Sequence, residues 1–70
     1  MNEYIRSWLK TRNLSLTWLA LQAGVHKNYL GAILNGRRKA GLATLARLET
    51  AMGLPQGTLV LMRMKERTDA

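Results

Sequence analysis

The chain has 70 residues with no cysteine and one histidine, and its eleven Lys and Arg against four Asp and Glu give a formal net charge of +7. That length leaves room for one domain and none for a separate effector module, and a chain so short buries only about 60% of its unfolded surface, so dimerisation would help it. Disulfides and thiolate metal sites are excluded, no apolar run approaches the length that spans a bilayer, and Glu3 and Arg6 interrupt any secretory core, so cytoplasmic residence is expected.

Asn2 is placed to cap a first helix running to about Arg12, with Tyr4, Ile5, Trp8 and Leu9 on one face and Arg6 and Lys10 opposite. Trp8 reads as core. Arg6 and Lys10 read as a solvated face, with phosphate contact the second reading. Asn13 and Leu14 then link to Ser15.

Residues Ser15 to Arg38, SLTWLALQAGVHKNYLGAILNGRR, read as a helix, a tight turn and a second helix. The Ser15 hydroxyl can accept from the free amides of a first helical turn. Leu16, Leu19, Ala20 and Ala23 recur as an apolar stripe, and Gly24 follows as a stop. Val25 plugs the turn, and Lys27 to Asn35 restart the pattern until Gly36. At about 100° per residue, Tyr29, Leu30, Ile33 and Leu34 share one side of the second helix. Lys27, Asn28, Gly31, Ala32 and Asn35 share the other. Such a polar and small-residue face suits a major groove, where Asn pairs with adenine and Lys with guanine. A glycine within a helix costs about 1 kcal/mol relative to alanine, so Gly31 beside Ala32 suggests close approach to a base edge. Mere tolerance is the competing reading.

This stretch resembles the helix-turn-helix of the phage repressor and Cro-like (XRE-type) family of DNA-binding regulators. The resemblance is carried by Leu19 and Ala20, the Ala23-Gly24-Val25 turn, Leu30 and Ile33, and the closing Asn35-Gly36; more loosely, it runs from about Ser7 to Leu61. It implies that Ala20 lets two helices cross closely and that Leu19, Val25, Leu30 and Ile33 fill the wedge between them. It also puts His26 at the start of the recognition helix, where relatives often carry Ser; a phosphate or base contact and a plain turn residue are both open. Leu16 stands where relatives usually have a Gln that touches the DNA backbone, and Thr17 could supply a hydroxyl instead. Trp18 and Leu21 replace polar residues. They read as extra packing against the first helix or the C-terminal segment, with a docking surface for another protein as the alternative.

No acid occurs between Glu3 and Glu49, so residues 4–48 are basic throughout, a field that attracts a polyanion. Arg37, Arg38 and Lys39 suit phosphates flanking the groove, joined by Asn35. Leu42 to Met52 form a fourth helix with Leu42, Leu45, Leu48 and Met52 on the core side and Gly53 as its stop. Pro55 suits the first turn of a helix, and the resemblance implies a short fifth one, although residues 56–64 would also tolerate a strand. Leu59, Val60, Leu61, Met62 and Met64 exceed the needs of one small core and are the candidate dimer interface. The domain is therefore expected to be all-α with five helices over residues 1–64, its motif at 15–36, followed by a frayed tail at 65–70.

The function expected is a small homodimeric repressor that binds double-stranded DNA at an inverted-repeat operator. Lys27 and Asn28 lead the base contacts, with His26, Gly31 and Ala32 behind them; Thr17, Asn35, Arg37, Arg38 and Lys39 contact the backbone. The resemblance and the size together suggest autoregulation of a phage, mobile-element or anti-CRISPR-type operon and residence at the nucleoid. The alternative is an antitoxin-like interaction module that binds a second protein through Trp18 and Leu21. Neither a cofactor nor a metal is expected, and scattered acids with no nucleophile–base pair give no enzyme site.

Overall fold

The computed structural model describes residues 1–68, with side chains through Lys65. Five helices form from the caps and stripes of the chain: α1 (Asn2–Thr11), α2 (Leu16–Ala23), α3 (Lys27–Leu34), α4 (Leu42–Met52) and α5 (Thr58–Thr68). Among the described residues there is no strand, so the choice at residues 56–64 falls to helix.

The caps of α2 follow their residue types. The Ser15 hydroxyl accepts from the Trp18 amide at 3.0 Å, and Gly24 closes the helix at φ +71°, a backbone conformation that disfavours any Cβ. Arg47 on α4 donates to the Gly24 carbonyl at 3.3 Å, so the turn is held from a third helix. Inside, Leu19, Ala20 and Ala23 of α2 meet Leu30, Ile33 and Leu34 of α3. Ile5 and Leu9 of α1, Leu45, Leu48 and Met52 of α4, and Leu59 of α5 complete one core.

Four local expectations are corrected. The N-cap of α1 is Met1, and the Asn2 side chain instead donates across the fold to the Ile33 carbonyl at 3.1 Å. Leu42 is 63% exposed rather than core-facing; it is the first residue of α4, and the buried position nearest that end is taken by Ala40. Pro55 lies in the turn before α5, which begins three residues later, at Thr58; the Thr58 hydroxyl donates back to the Pro55 carbonyl at 2.7 Å. Leu59 is fully buried and cannot face a second subunit. Of the segment expected as a frayed tail, residues 65–68 continue α5, and 69–70 lie outside the described residues.

Glu49 explains why the last segment is helical. It is 2% exposed on α4, and its carboxylate accepts from the amides of Gly57 at 3.1 Å and Leu59 at 2.7 Å. The first turn of a helix leaves such amides without intrahelical partners, and a carboxylate there is favoured by the helix dipole as well. Thus α4 carries the cap of α5.

Trp18 is also settled by packing. Its ring lies 6.2 Å from that of Trp8 with an interplanar angle of 29°, and the Arg12 guanidinium sits 4.2 Å above Trp8. Of the two readings, packing against α1 holds. Leu21 alone stays outward, at 75% exposure.

Glu49→Ala removes the acceptor for two amides, one of them buried, and should lower the unfolding free energy by about 2–3 kcal/mol. Chemical denaturation followed by circular dichroism checks this; an unchanged midpoint would show that α5 docks without the carboxylate.

Candidate nucleic-acid interface

The outer surface of α3 is built by fixing the helix on its other sides. Leu30, Ile33 and Leu34 bury the inner face and Tyr29 is half-buried, which leaves Lys27, Asn28, Gly31, Ala32 and Asn35 outward, as their spacing requires. At the start of the helix His26 is the N-cap, and its Nδ1 accepts from the Asn28 amide at 3.1 Å. With Nδ1 engaged as the cap acceptor, the Nε2 side of the ring is the one the cap does not use.

The far end is held by α1. Arg6 donates through Nη2 to the Leu34 carbonyl at 3.1 Å and to Asn35 Oδ1 at 2.8 Å, and Asn2 holds the carbonyl of Ile33. Arg6 satisfies a carbonyl that the helix C-terminus leaves open, Asn2 adds a second donor to the Ile33 carbonyl, which also accepts from the Gly36 amide at 3.1 Å, and the guanidinium complements the negative end of the dipole. Arg6 is therefore not an idle solvated cation; it positions the recognition helix. Its bond to Asn35 Oδ1 leaves the Asn35 amide group as a donor. Lys10 is exposed.

One open groove collects Leu16, Lys27, Asn28, Gly31, Ala32, Asn35 and Arg37. The structure thus brings together four of the five expected base contacts and two of the five expected backbone contacts. Thr17 is exposed in the first turn of α2 but does not line this groove. Arg38 lies on the opposite flank, with its guanidinium 5.1 Å from the Tyr29 ring. That ring is itself positioned by a 3.4 Å contact between its hydroxyl and Thr44 Oγ1. Lys39 and Arg38 border a second hollow with Asn2, Gly36, Gly41 and Arg63.

Sequence reasoning passed over Arg63, read Arg6 as a solvated cation where it holds the end of α3, and read Leu16 as a stripe residue where it also lines the groove. Arg63 donates through Nη1 to the Ala40 carbonyl, bracing the loop that carries the cationic run. Asn2 and Arg6 stand one turn apart on α1, flanking its apolar stripe, and that spacing was the available signal for a shared contact. Nothing local marks Arg63. Of the expected dimer residues, Val60 and Met62 are partly buried against the core, while Leu61 and Met64 are 55% and 60% exposed.

The eight residues of α3 span about 12 Å, short enough to lie within a major groove about 12 Å wide. A short helix with donors along its outer face, set across the end of a second helix and flanked by cations, defines a DNA-reading helix-turn-helix domain. The family model described as helix-turn-helix matches residues 5–55, and the chain belongs to that family, whose members of the repressor and Cro-like type are DNA-binding regulators. No significant match occurs among curated proteins or among solved structures. Among the described residues no helix is long and apolar enough to cross a membrane, and no cluster of three or more His, Cys, Asp or Glu could hold a metal ion.

Gly31 can be tested on its own. A Cβ there would meet only Leu16 Cδ2, at the ordinary contact distance of 3.7 Å, so nothing in the protein requires glycine. Gly31→Ala should raise thermal stability by up to about 1 kcal/mol while weakening binding to DNA. Undiminished binding by the stabilised variant would show that DNA does not approach α3 closely at this point.

Proposed function

We propose that the protein is a homodimeric transcriptional repressor that reads an inverted-repeat operator with the outer face of α3. The observation that carries this reading is the convergence of Lys27, Asn28, Asn35 and Arg37 around one groove, inside a stretch that has no acidic residue from 4 to 48. Lys27 and Asn28 are the leading base contacts. His26 Nε2, Gly31 and Ala32 lie beside them, and Arg37, Arg38, Lys39, the Asn35 amide and Thr17 address the backbone. Phosphate contacts fix register and supply salt-dependent affinity, while base contacts supply sequence.

The dimer rests on the outward Leu61 and Met64 of α5, the part of the expected interface that the core does not consume. A protomer whose longest extent is 31 Å has room beside a copy of itself on half-sites about 34 Å apart. Control would come through concentration, as in autoregulation of a phage, mobile-element or anti-CRISPR-type operon by a cytoplasmic, nucleoid-bound protein. The other reading, an antitoxin-like module for a protein partner, is favoured only by the exposure of Leu21, because Trp18 is occupied with Trp8.

Selection from a random duplex pool should enrich an inverted repeat with half-site centres about one helical turn apart; a single unrepeated motif would contradict the dimer. On the enriched duplex, Lys27→Ala should cost about 1–3 kcal/mol and relax preference at one position per half-site. Arg38→Ala should weaken every duplex alike and lower the slope of log affinity against log salt by about one. If the two variants exchanged these signatures, the division between base and backbone contacts would be wrong.

A further inference from the structure

The groove on α3 has a chemical asymmetry of its own. Its rim carries hydrogen-bond donors, Lys27 and Asn28 toward one end and Asn35 and Arg37 toward the other, whereas the remaining lining residues are Leu16, Gly31 and Ala32. Leu16 belongs to α2 and packs partly into the core, so its isobutyl group is held in place. Its Cδ2 lies 3.7 Å from where a Gly31 Cβ would stand. The absence of that Cβ therefore leaves a small apolar recess between Leu16 and Ala32, in the middle of an otherwise polar face.

A major groove offers one apolar group, the 5-methyl of thymine; its other features are hydrogen-bond donors and acceptors. A polar base atom pressed against the Leu16 side chain would lose water without gaining a partner. The donors of the rim would also repel the exocyclic amino group of cytosine, while accepting neighbours such as thymine O4 remain compatible. We propose that Leu16, Gly31 and Ala32 form a notch that receives the 5-methyl group of a thymine, making Leu16 and Gly31 determinants of operator sequence. The proposal rests on the DNA-reading role of α3 and adds to it which base the apolar part of the face selects.

The test uses the unmodified protein and the duplex enriched from the random pool, with each thymine replaced in turn by deoxyuridine, which removes only the methyl. One position per half-site should lose roughly 4-fold in affinity, the worth of one buried methyl, and the other thymines should change little. Gly31→Ala fills the notch and Leu16→Gln makes it polar, so both variants should bind the thymine and deoxyuridine duplexes equally at that position. No thymine whose methyl matters, or a methyl effect that survives in both variants, would overturn the notch while leaving DNA recognition standing. Failure of any sequence to enrich would overturn the reading of α3 and the notch with it.

Discussion

An eight-residue helix has little stability of its own in water, where isolated helices shorter than about 12–15 residues are marginal. Because α3 has that length, its existence depends on what the rest of the chain does to its ends and its inner face. Three buried residues, Leu30, Ile33 and Leu34, dock it on the core. His26 caps its start, and Asn2 and Arg6 hold the last carbonyls from α1. Glycine at position 31 weakens the helix further, which makes these external ties more necessary. The result is a helix whose conformation is imposed from behind, with its front surface exempt from structural duty.

The cations of the chain divide along the same line. Arg6, Arg47 and Arg63 each donate to a backbone carbonyl at the end of a helix or in a turn, and Arg12 covers Trp8. Lys27, Arg37, Arg38 and Lys39 surround the exposed side of α3 and the loop after it. A net charge of +7 is thus partly structural. The contacts of Arg6 and Arg47 place positive charge where helix dipoles are negative, Arg63 ties down the loop before α4, and the outward group forms the field that a polyanion would meet first. Arg38 belongs to both groups in part, since Tyr29 orients it without burying it.

The helix-turn-helix was legible because its signals are local. Ser15 caps, Gly24 turns, and the stripe through Leu19, Ala20, Ala23, Leu30 and Ile33 falls out of helical spacing alone. The outward set on α3 followed from the same periodicity. What escaped were contacts between residues far apart in sequence: Glu49 with Gly57 and Leu59, Arg6 with Leu34, Arg63 with Ala40. A glutamate in an amphipathic helix gives no hint that it will be buried under the start of the next one. Leu42 and Leu59 were misplaced for a related reason: a helical stripe says which side is apolar but not how far along the helix a neighbour covers it. The apolar surplus in α5 was real, yet the core used Leu59 and part of Val60 and Met62.

In the proposed function, the outer face of α3 is the surface that distinguishes one DNA sequence from another. Amide chemical-shift mapping by NMR, with the enriched duplex and then with a scrambled duplex of equal length, tests that most directly. The enriched duplex should shift residues 26–32 and 37–39 most, and the scrambled duplex should shift 37–39 while leaving 27–32 much less affected. Identical patterns with both duplexes, or the largest shifts around Leu21, Leu61 and Met64, would contradict it and assign the recognition surface elsewhere on the domain.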